Sequence, residues 1–402
     1  MGRGGALVKI FPPLASRAPW RQGPRAELGG SLSQYRIGLI IGTRPEAIKL
    51  APVAHELARA GIAPTLYLTG QHPGLEPADH GLDGYRAIPL GQPGLPDPIE
   101  HAERVAHGLE RLWSGSAPSL VMVQGDTSSA MGGATAAAVL ALPLAHVEAG
   151  LRTHDLSQPW PEEGFRIEID RLADLLFAPT ATSAANLRNE MTAGEIHVTG
   201  NSGIDALLGE IEGLRRGRRP AKRKPLKLLV TCHRRESWGA GLASLATALA
   251  SLAAGQVAVI DVVLHPNPRV SEAMYALLNG LDGIRLVPPL SHRAMIEAML
   301  GANLLLSDSG GVQEEAPALG IPLLVLRDKT ERPEGVEHGA MVLVGTDGKR
   351  IGKAVRDFAA GQSLLSGMAR PMFPFGDGRA APRIVAATIG WLERRRPVSL
   401  IA

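Results

Sequence analysis

Three acidic side chains stand where the chain leaves a short apolar run or enters a helix. Asp126 follows one apolar run in the segment VQGDTSS, and Glu148 follows another in HVEAGLRT. Glu163, in PWPEEGFR, precedes a helix predicted over Arg166–Phe177. Carboxylates serve as general acids and bases, and a cluster of them is costly unless it transfers protons or binds a cation. The three acids therefore predict either proton-transfer chemistry or a cation site.

Two of these acids also have a structural interpretation. Asp126 is a suitable N-cap for the helix predicted over Thr127–Leu142. Glu163, at the start of a helix, would be stabilised by the helix dipole alone. No helical pattern begins at Glu148, so this acid has no capping role and favours chemistry most strongly.

A glycine-rich segment in the second half predicts a site for a nucleoside diphosphate. In DSGGVQEEAP, Gly310 and Gly311 follow an apolar run and open a helix. Glycines at a helix start let backbone N–H groups approach a phosphate closely. A glutamate one turn later is placed to accept hydrogen bonds from ribose hydroxyls, and the segment RDKTERPE adds cations near the same edge.

Further charged side chains follow other predicted strands. Arg44 and Lys49 lie near the start of a helix predicted from Pro45 to Ala60, where an anion is favoured, although surface positions are the alternative. His233 follows an apolar run and either faces a ligand or is buried among satisfied partners. The chain contains no GxxxxGK[ST] loop, no GxGxxG turn and no zinc-like ligand spacing, so we predict no cofactor and no metal.

The elements that must position these residues follow a regular rhythm. Apolar runs of four to eight residues alternate with helical patterns, which indicates parallel sheets covered on both faces. We therefore predict an α/β fold with two doubly wound, Rossmann-like domains that face a central cleft. Strands are predicted over Ile37–Ile41, Thr65–Leu68, Leu120–Val123, Leu144–Val147, Leu226–Thr231, Val257–Leu264, Ile284–Val287, Leu304–Ser307 and Pro322–Leu326.

The length of 402 residues accommodates two domains. We predict a disordered extension over residues 1–34 and a basic linker over 215–225. The first domain is predicted over 35–214 together with 382–402, and the second over 226–381.

Charge and composition limit the classes of partner that the protein is expected to have. The formal net charge is only +3, and the basic stretches carry no interleaved aromatic pattern, so we expect no nucleic-acid partner. No apolar run reaches about 18 residues, so we expect no membrane span. Cys232 is the only cysteine, which fits a reducing compartment and predicts a cytoplasmic protein.

Eight segments together resemble the signature blocks of the bacterial non-hydrolysing UDP-N-acetylglucosamine 2-epimerases. They are GTRPEAIKLAPV, VQGDTSS, HVEAGLRT, PWPEEGFR, HRRES, HPNP, DSGGVQEEAPALGIP and RDKTERPEGVE, in that family's order. The resemblance implies a fold like that of the GT-B glycosyltransferases, a UDP-sugar substrate and a homodimer. It also implies interconversion of UDP-N-acetylglucosamine and UDP-N-acetylmannosamine.

The resemblance also assigns roles to matching positions. Asp126, Glu148, Glu163 and His233 match catalytic positions. UDP-binding positions are matched by Arg44, Lys49, Ser309, Gly310, Gly311, Glu315 and Arg332. Gln71 and His265 match positions near an allosteric site for a second substrate molecule.

The implied chemistry explains the residue types. The C2 proton of the sugar is not acidic, because no carbonyl is attached there. Departure of UDP from C1 makes that proton acidic, and its removal gives 2-acetamidoglucal. Re-addition of UDP with protonation on the other face gives the epimer. Epimerisation of a related UDP-2-acetamido sugar and GT-B glycosyl transfer are the alternatives.

Overall fold

The computed structural model describes residues 32–212, 225–232, 240–265, 268–367 and 370–395. His233, residues 1–31 of the predicted extension and the predicted linker up to residue 224 lie outside the described residues. Contacts divide the described chain into two compact units. The first comprises the residues up to Ala206 and those from Gly376 onward, and the second comprises Leu207–Phe375. The predicted domain boundaries stay predictions.

The strands of the described chain are short and form two sheets. In chain order they are β1 (Ile37–Ile41), β2 (Thr65–Leu68), β3 (Arg86–Pro89), β4 (Leu120–Gln124), β5 (Leu144–Val147), β6 (Leu175–Ala178), β7 (Glu195–Val198), β8 (Leu226–Thr231), β9 (Ala258–Val263), β10 (Ile284–Val287), β11 (Leu304–Ser307), β12 (Leu323–Val325) and β13 (Met341–Leu343).

Helices connect most of these strands. In chain order they are α1 (Arg44–Arg59), α2 (Pro98–Trp113), α3 (Ser128–Val139), α4 (Glu162–Leu172), α5 (Ala181–Asn189), α6 (Ser202–Glu212), α7 (Ala240–Ala254), α8 (Pro268–Leu278), α9 (His292–Leu300), α10 (Gly310–Leu319), α11 (Pro333–Glu337), α12 (Gly348–Ala360) and α13 (Ala380–Arg394). No helix in the described part of the chain is both long and apolar enough to cross a bilayer.

Both sheets are parallel and doubly wound. The first has the order β3-β2-β1-β4-β5-β6-β7, and the second has the order β10-β9-β8-β11-β12-β13. In each sheet the chain reverses its direction of progress next to the first strand, between β1 and β4 and between β8 and β11. Ligands of open α/β sheets bind beside the carboxyl ends of the strands at this switch point. The predicted fold class, α/β with two doubly wound sheets, is confirmed.

The first sheet has a core on each face. Ile37, Leu39 and Ile41 pack on one face and Ile40 on the other, as the alternation of side chains along a strand requires. The last helix, α13, adds Trp391 to the first of these cores. The Asp205 carboxylate accepts hydrogen bonds from the first two backbone N–H groups of α13, at 3.1 and 2.8 Å, and so caps that helix.

The helix predicted over Arg166–Phe177 was wrong at both ends. Helix α4 begins at Glu162 and ends at Leu172, and Phe177 lies in strand β6. The apolar run Leu175–Ala178 is buried throughout, which a strand covered on both faces provides and a half-exposed surface helix does not. Strands β3, β7 and β13 were also not predicted.

Candidate active site

The loop between β1 and α1 is closed by a buried glutamate. Glu46 accepts hydrogen bonds through Oε2 from the backbone N–H groups of Gly42 and Thr43, at 2.7 and 2.6 Å, and from the Thr43 hydroxyl at 2.9 Å. Together with the Thr43 cap this forms a capping box at the start of α1. A Cβ at Gly42 would stand 1.9 Å from Ser129 Oγ, so only glycine fits there.

Glu46 also holds the loop that carries Asp126. The Thr127 hydroxyl donates to Glu46 Oε1 and accepts from the backbone N–H of Ala130 at 3.0 Å. Thr127 is therefore the N-cap of α3. The capping interpretation of Asp126 was wrong, because the next residue satisfies the helix start instead.

Asp126 is paired with an arginine from α4. The Arg166 guanidinium donates to Asp126 Oδ2 through Nε, at 3.0 Å, and through Nη2. The Asp126 side chain keeps 26% of its surface exposed. Within the described residues, the hydrogen bonds to this carboxylate engage Oδ2 only.

Glu163 occupies a different environment. Its side chain is fully buried, and Oε1 accepts from the backbone N–H groups of Thr153 and His154, at 2.8 and 2.9 Å. Oε2 accepts from Arg166 Nη1 at 2.9 Å. Glu163 thus fixes the segment after Glu148 and orients Arg166, which in turn holds Asp126.

Glu148 is the centre of a second cluster. Its Oε2 forms an ion pair with Lys49 of α1 and accepts from Gln124 Nε2 at 3.0 Å and from Asn201 Nδ2 at 3.4 Å. The backbone of Glu148 has φ of 71°, a left-handed conformation that costs a non-glycine residue about 1–3 kcal/mol. The lysine that was predicted near an anion therefore pairs with the carboxylate of Glu148.

Glu46 makes the stability of this region depend on pH. Complete burial raises the pKa of Glu46 from its ordinary 4.5 to about 7, against hydrogen bonds from Thr127, Gly42 and Thr43 that lower it. Between pH 4.5 and about 7 the folded protein therefore keeps a proton on Glu46 that the unfolded chain has released. The stabilisation that this proton provides is fully present below pH 4.5 and is lost as pH rises through 7.

We expect the free energy of unfolding to fall by about 1.4 kcal/mol per pH unit within this window on account of Glu46. Urea titrations of the parent and of Glu46→Gln at several pH values measure this slope. The glutamine variant lacks the titrating proton and should lose that part of the slope. An identical slope in both proteins would contradict the assignment.

In the second unit, one helix begins without a side-chain cap. Helix α10 begins at Gly310, and its N-cap, Ser309, makes no side-chain capping hydrogen bond. The buried Arg332 lies behind this turn, because a Cβ at Gly310 would come within 2.9 Å of its guanidinium. Arg332 donates to Glu314 Oε1 at 2.6 Å and pairs with Glu331. Backbone N–H groups at a helix start and a guanidinium are both groups that favour a phosphate.

Glu315 lies one turn along α10 and is held by a histidine. His292 Nε2 stands 2.9 Å from Glu315 Oε1, and both side chains are largely buried. Burial alone lowers the pKa of His292, but the hydrogen bond and charge of Glu315 outweigh it and raise that pKa. The pair fixes the direction in which the carboxylate points.

The other predicted site residues fall in both units. Arg44 is exposed at the start of α1. Gln71 Oε1 accepts from Ser129 N at 3.1 Å and from Ser129 Oγ at 2.6 Å, so it is bound to the start of α3. His265 is half-buried after β9 in the second unit. The remaining residue, His233, lies outside the described residues, and its role stays a prediction.

Several side chains that build the site were not predicted from the sequence. Arg166 had one usable signal, its position three residues after Glu163 on a helix, where side chains meet. Glu46 also had a local signal, because Thr43 and Glu46 have the spacing of a capping box. The others gave no local signal, because their partners come from distant segments. They are Gln124, Asn201, His292 and Glu314.

Comparison with known proteins agrees with this architecture. The sequence profile of the family described as UDP-N-acetylglucosamine 2-epimerase matches residues 55–388. A relative from Ralstonia nicotianae, named "Probable UDP-N-acetylglucosamine 2-epimerase", is 40% identical over 371 residues, which are 88% of this chain and 98% of the relative. The UDP-N-acetylglucosamine 2-epimerase of Escherichia coli K12 is 38% identical over 369 residues, or 87% of this chain and 96% of that enzyme.

A solved structure supports the same assignment. The crystal structure of UDP-GlcNAc 2-epimerase from Neisseria meningitidis bound to UDP-GlcNAc superimposes with a TM-score of 0.82. Sequence identity is 33%, and the match covers 88% of this chain and all of the Neisseria chain. The predicted resemblance is confirmed, and the chain belongs to the UDP-N-acetylglucosamine 2-epimerase family.

Proposed function

We propose that the protein interconverts UDP-N-acetylglucosamine and UDP-N-acetylmannosamine without hydrolysing them. The observation that carries this proposal is the pair of carboxylate clusters after β4 and β5, Asp126 with Arg166 and Glu148 with Lys49. The clusters follow β4 and β5, which are adjacent strands of one sheet. Gln124 at the end of β4 donates directly to Glu148. A 2-epimerase needs acid–base groups of this kind for both faces of C2.

The second unit supplies the contacts to UDP. The backbone at Ser309, Gly310 and Gly311 together with Arg332 receives the diphosphate, because N–H groups at a helix start and a guanidinium both favour phosphate. Glu315 accepts hydrogen bonds from the ribose hydroxyls while His292 holds its other side. In the first unit, the exposed Arg44 at the start of α1 is a further candidate for binding an anion.

The proposed reaction proceeds in two steps, elimination and re-addition of UDP. In the first, the bond between C1 and the UDP oxygen breaks, its electrons leave with UDP, and a carboxylate takes the C2 proton. The product is 2-acetamidoglucal, with a double bond between C1 and C2. In the second step, the UDP oxygen adds back to C1 while C2 receives a proton on the opposite face.

The three carboxylates of the first unit have different proposed roles. Asp126 keeps part of its side chain exposed and has hydrogen bonds to one oxygen only, so it is the group we assign to proton transfer. Glu148 is the second acid–base group, and Lys49 offsets its charge next to the anionic substrate. Glu163 acts through Arg166, because both of its oxygens are bound within the fold. His233, which matches a catalytic position, completes the proposed set.

Turnover in D2O tests the proposal. Purified protein is incubated with UDP-N-acetylglucosamine in D2O, and products are followed by proton NMR. We expect deuterium at C2 of both epimers and no free N-acetylmannosamine. A glycosyltransferase would leave C2–H intact, and a hydrolysing enzyme would release the free sugar. Complete retention of the C2 proton during epimerisation would exclude the elimination mechanism.

A further inference from the structure

A buried histidine lies beneath the two catalytic loops. His146, in β5, is fully buried. Its Nδ1 stands 2.6 Å from Asp170 Oδ1, and its Nε2 stands 2.8 Å from the carbonyl oxygen of Gly125. A carbonyl oxygen only accepts hydrogen bonds, so Nε2 carries hydrogen and donates to Gly125.

Asp170, on α4, extends this connection to the loop after Glu148. Its Oδ2 accepts from the backbone N–H of Gly150 at 3.1 Å and lies 2.7 Å from Arg152 Nη2. Burial raises the pKa of Asp170, but His146 and Arg152 outweigh it and hold that pKa below its ordinary value. Asp170 is therefore ionised, and it anchors the Nδ1 side of the ring.

The two backbone segments that this network fixes are the ones that aim the carboxylates. Gly125 has φ of 68° and directly precedes Asp126, so its carbonyl orientation sets the direction in which the Asp126 side chain leaves the chain. Gly150 has φ of 83°, and a Cβ there would stand 2.3 Å from the carbonyl oxygen of Ser183. Neither His146 nor Asp170 is accessible to a substrate, so both act through these loops.

We propose that His146 is a positioning residue for Asp126, whose Nε2–H fixes the Gly125 carbonyl and thereby aims the Asp126 carboxylate at the C2 proton. This inference rests on the proposed role of Asp126. Misplacing a catalytic group by about 1 Å can cost up to 100-fold in rate without weakening substrate binding. The expected signature is therefore a loss of kcat at unchanged UDP affinity.

Two amide substitutions separate the two hydrogen bonds of the ring. His146→Gln places its amide nitrogen near the position of Nε2 and keeps a donor for Gly125. His146→Asn places its amide nitrogen near Nδ1, keeps the contact with Asp170 and loses the donor for Gly125. Asparagine leaves the larger cavity at this buried position, and glutamine leaves Asp170 without its contact to the ring, so the melting temperature of each variant is measured beside its kcat.

We expect His146→Asn to lower kcat by about 10- to 100-fold and His146→Gln to stay within about 3-fold of the parent. UDP affinity by calorimetry should stay within a few-fold in both. Equal kcat values in the two variants, whether parental or reduced in step with their melting temperatures, would overturn the proposal.

Asp170→Asn provides a second test that does not require changing the ring. The amide oxygen can still face Gly150 and Arg152, and its nitrogen can donate to Nδ1, so Nε2–H still faces Gly125. We expect kcat within about 3-fold of the parent, and a loss as large as that of His146→Asn would overturn the proposal. Parental turnover in Asp126→Asn would instead show that the proposed function of Asp126 fails.

Discussion

Asp126→Asn is expected to lower kcat by about two orders of magnitude or more while UDP affinity stays within a few-fold of the parent. The amide keeps an oxygen for the two hydrogen bonds from Arg166 but can no longer accept the C2 proton. The proposed UDP contacts lie mainly in the second unit, so binding should survive. Steady-state rates and UDP calorimetry on the same preparation measure both effects.

Asp97→Asn is the matched control. Asp97 caps α2 by accepting from the backbone N–H groups of Ile99 and Glu100, at 2.8 and 3.3 Å, and asparagine caps a helix equally well. This variant loses the same charge at another loop of the first unit and should keep parental kcat. Near-parental kcat in Asp126→Asn as well, together with a lowered melting temperature, would make Asp126 a structural residue.

The sequence predicts the central strands well because they are short apolar runs bounded by helical patterns. Strands β1, β2, β5 and β8 have the predicted bounds. Strand β6 was missed because only two residues separate Leu175 from the end of α4, so the apolar run looked like a continuing helix. Strands β3 and β7 include charged residues, Arg86 and Glu195, and lack the continuous apolar pattern.

From the sequence, site residues could be predicted only where they directly follow a strand. A carboxylate after a strand is visible in the sequence, which is how Asp126 and Glu148 were found. Its partner is not, because Arg166 is 40 residues from Asp126 and Lys49 is 99 residues from Glu148. Which carboxylate faces a ligand and which one is bound within the fold, as Glu163 is, depends on those partners.

The pair of Lys49 and Glu148 carries the largest expected effect on stability. Both side chains are nearly buried, with 10% and 7% of their surface exposed. Removing one partner of a buried pair costs about 3–5 kcal/mol, because the other charge stays out of water. We therefore expect Lys49→Met and Glu148→Gln each to lower the free energy of unfolding by several kcal/mol in urea titrations, and the double variant to recover most of that loss.

Lys353→Met is the control for losing a lysine from an ion pair. Lys353 pairs with Asp357 at 2.6 Å on the surface of α12, where 77% of the lysine side chain is exposed, and such pairs contribute about 0–1 kcal/mol. Additive losses in the Lys49 and Glu148 double variant would mean that the two charges do not depend on each other.

UDP calorimetry on the same set of variants separates the two possible roles of Lys49. Weakened UDP binding in Lys49→Met but not in Glu148→Gln would show that the lysine also contacts the diphosphate, whereas equal kcat losses at parental affinity would limit it to supporting Glu148.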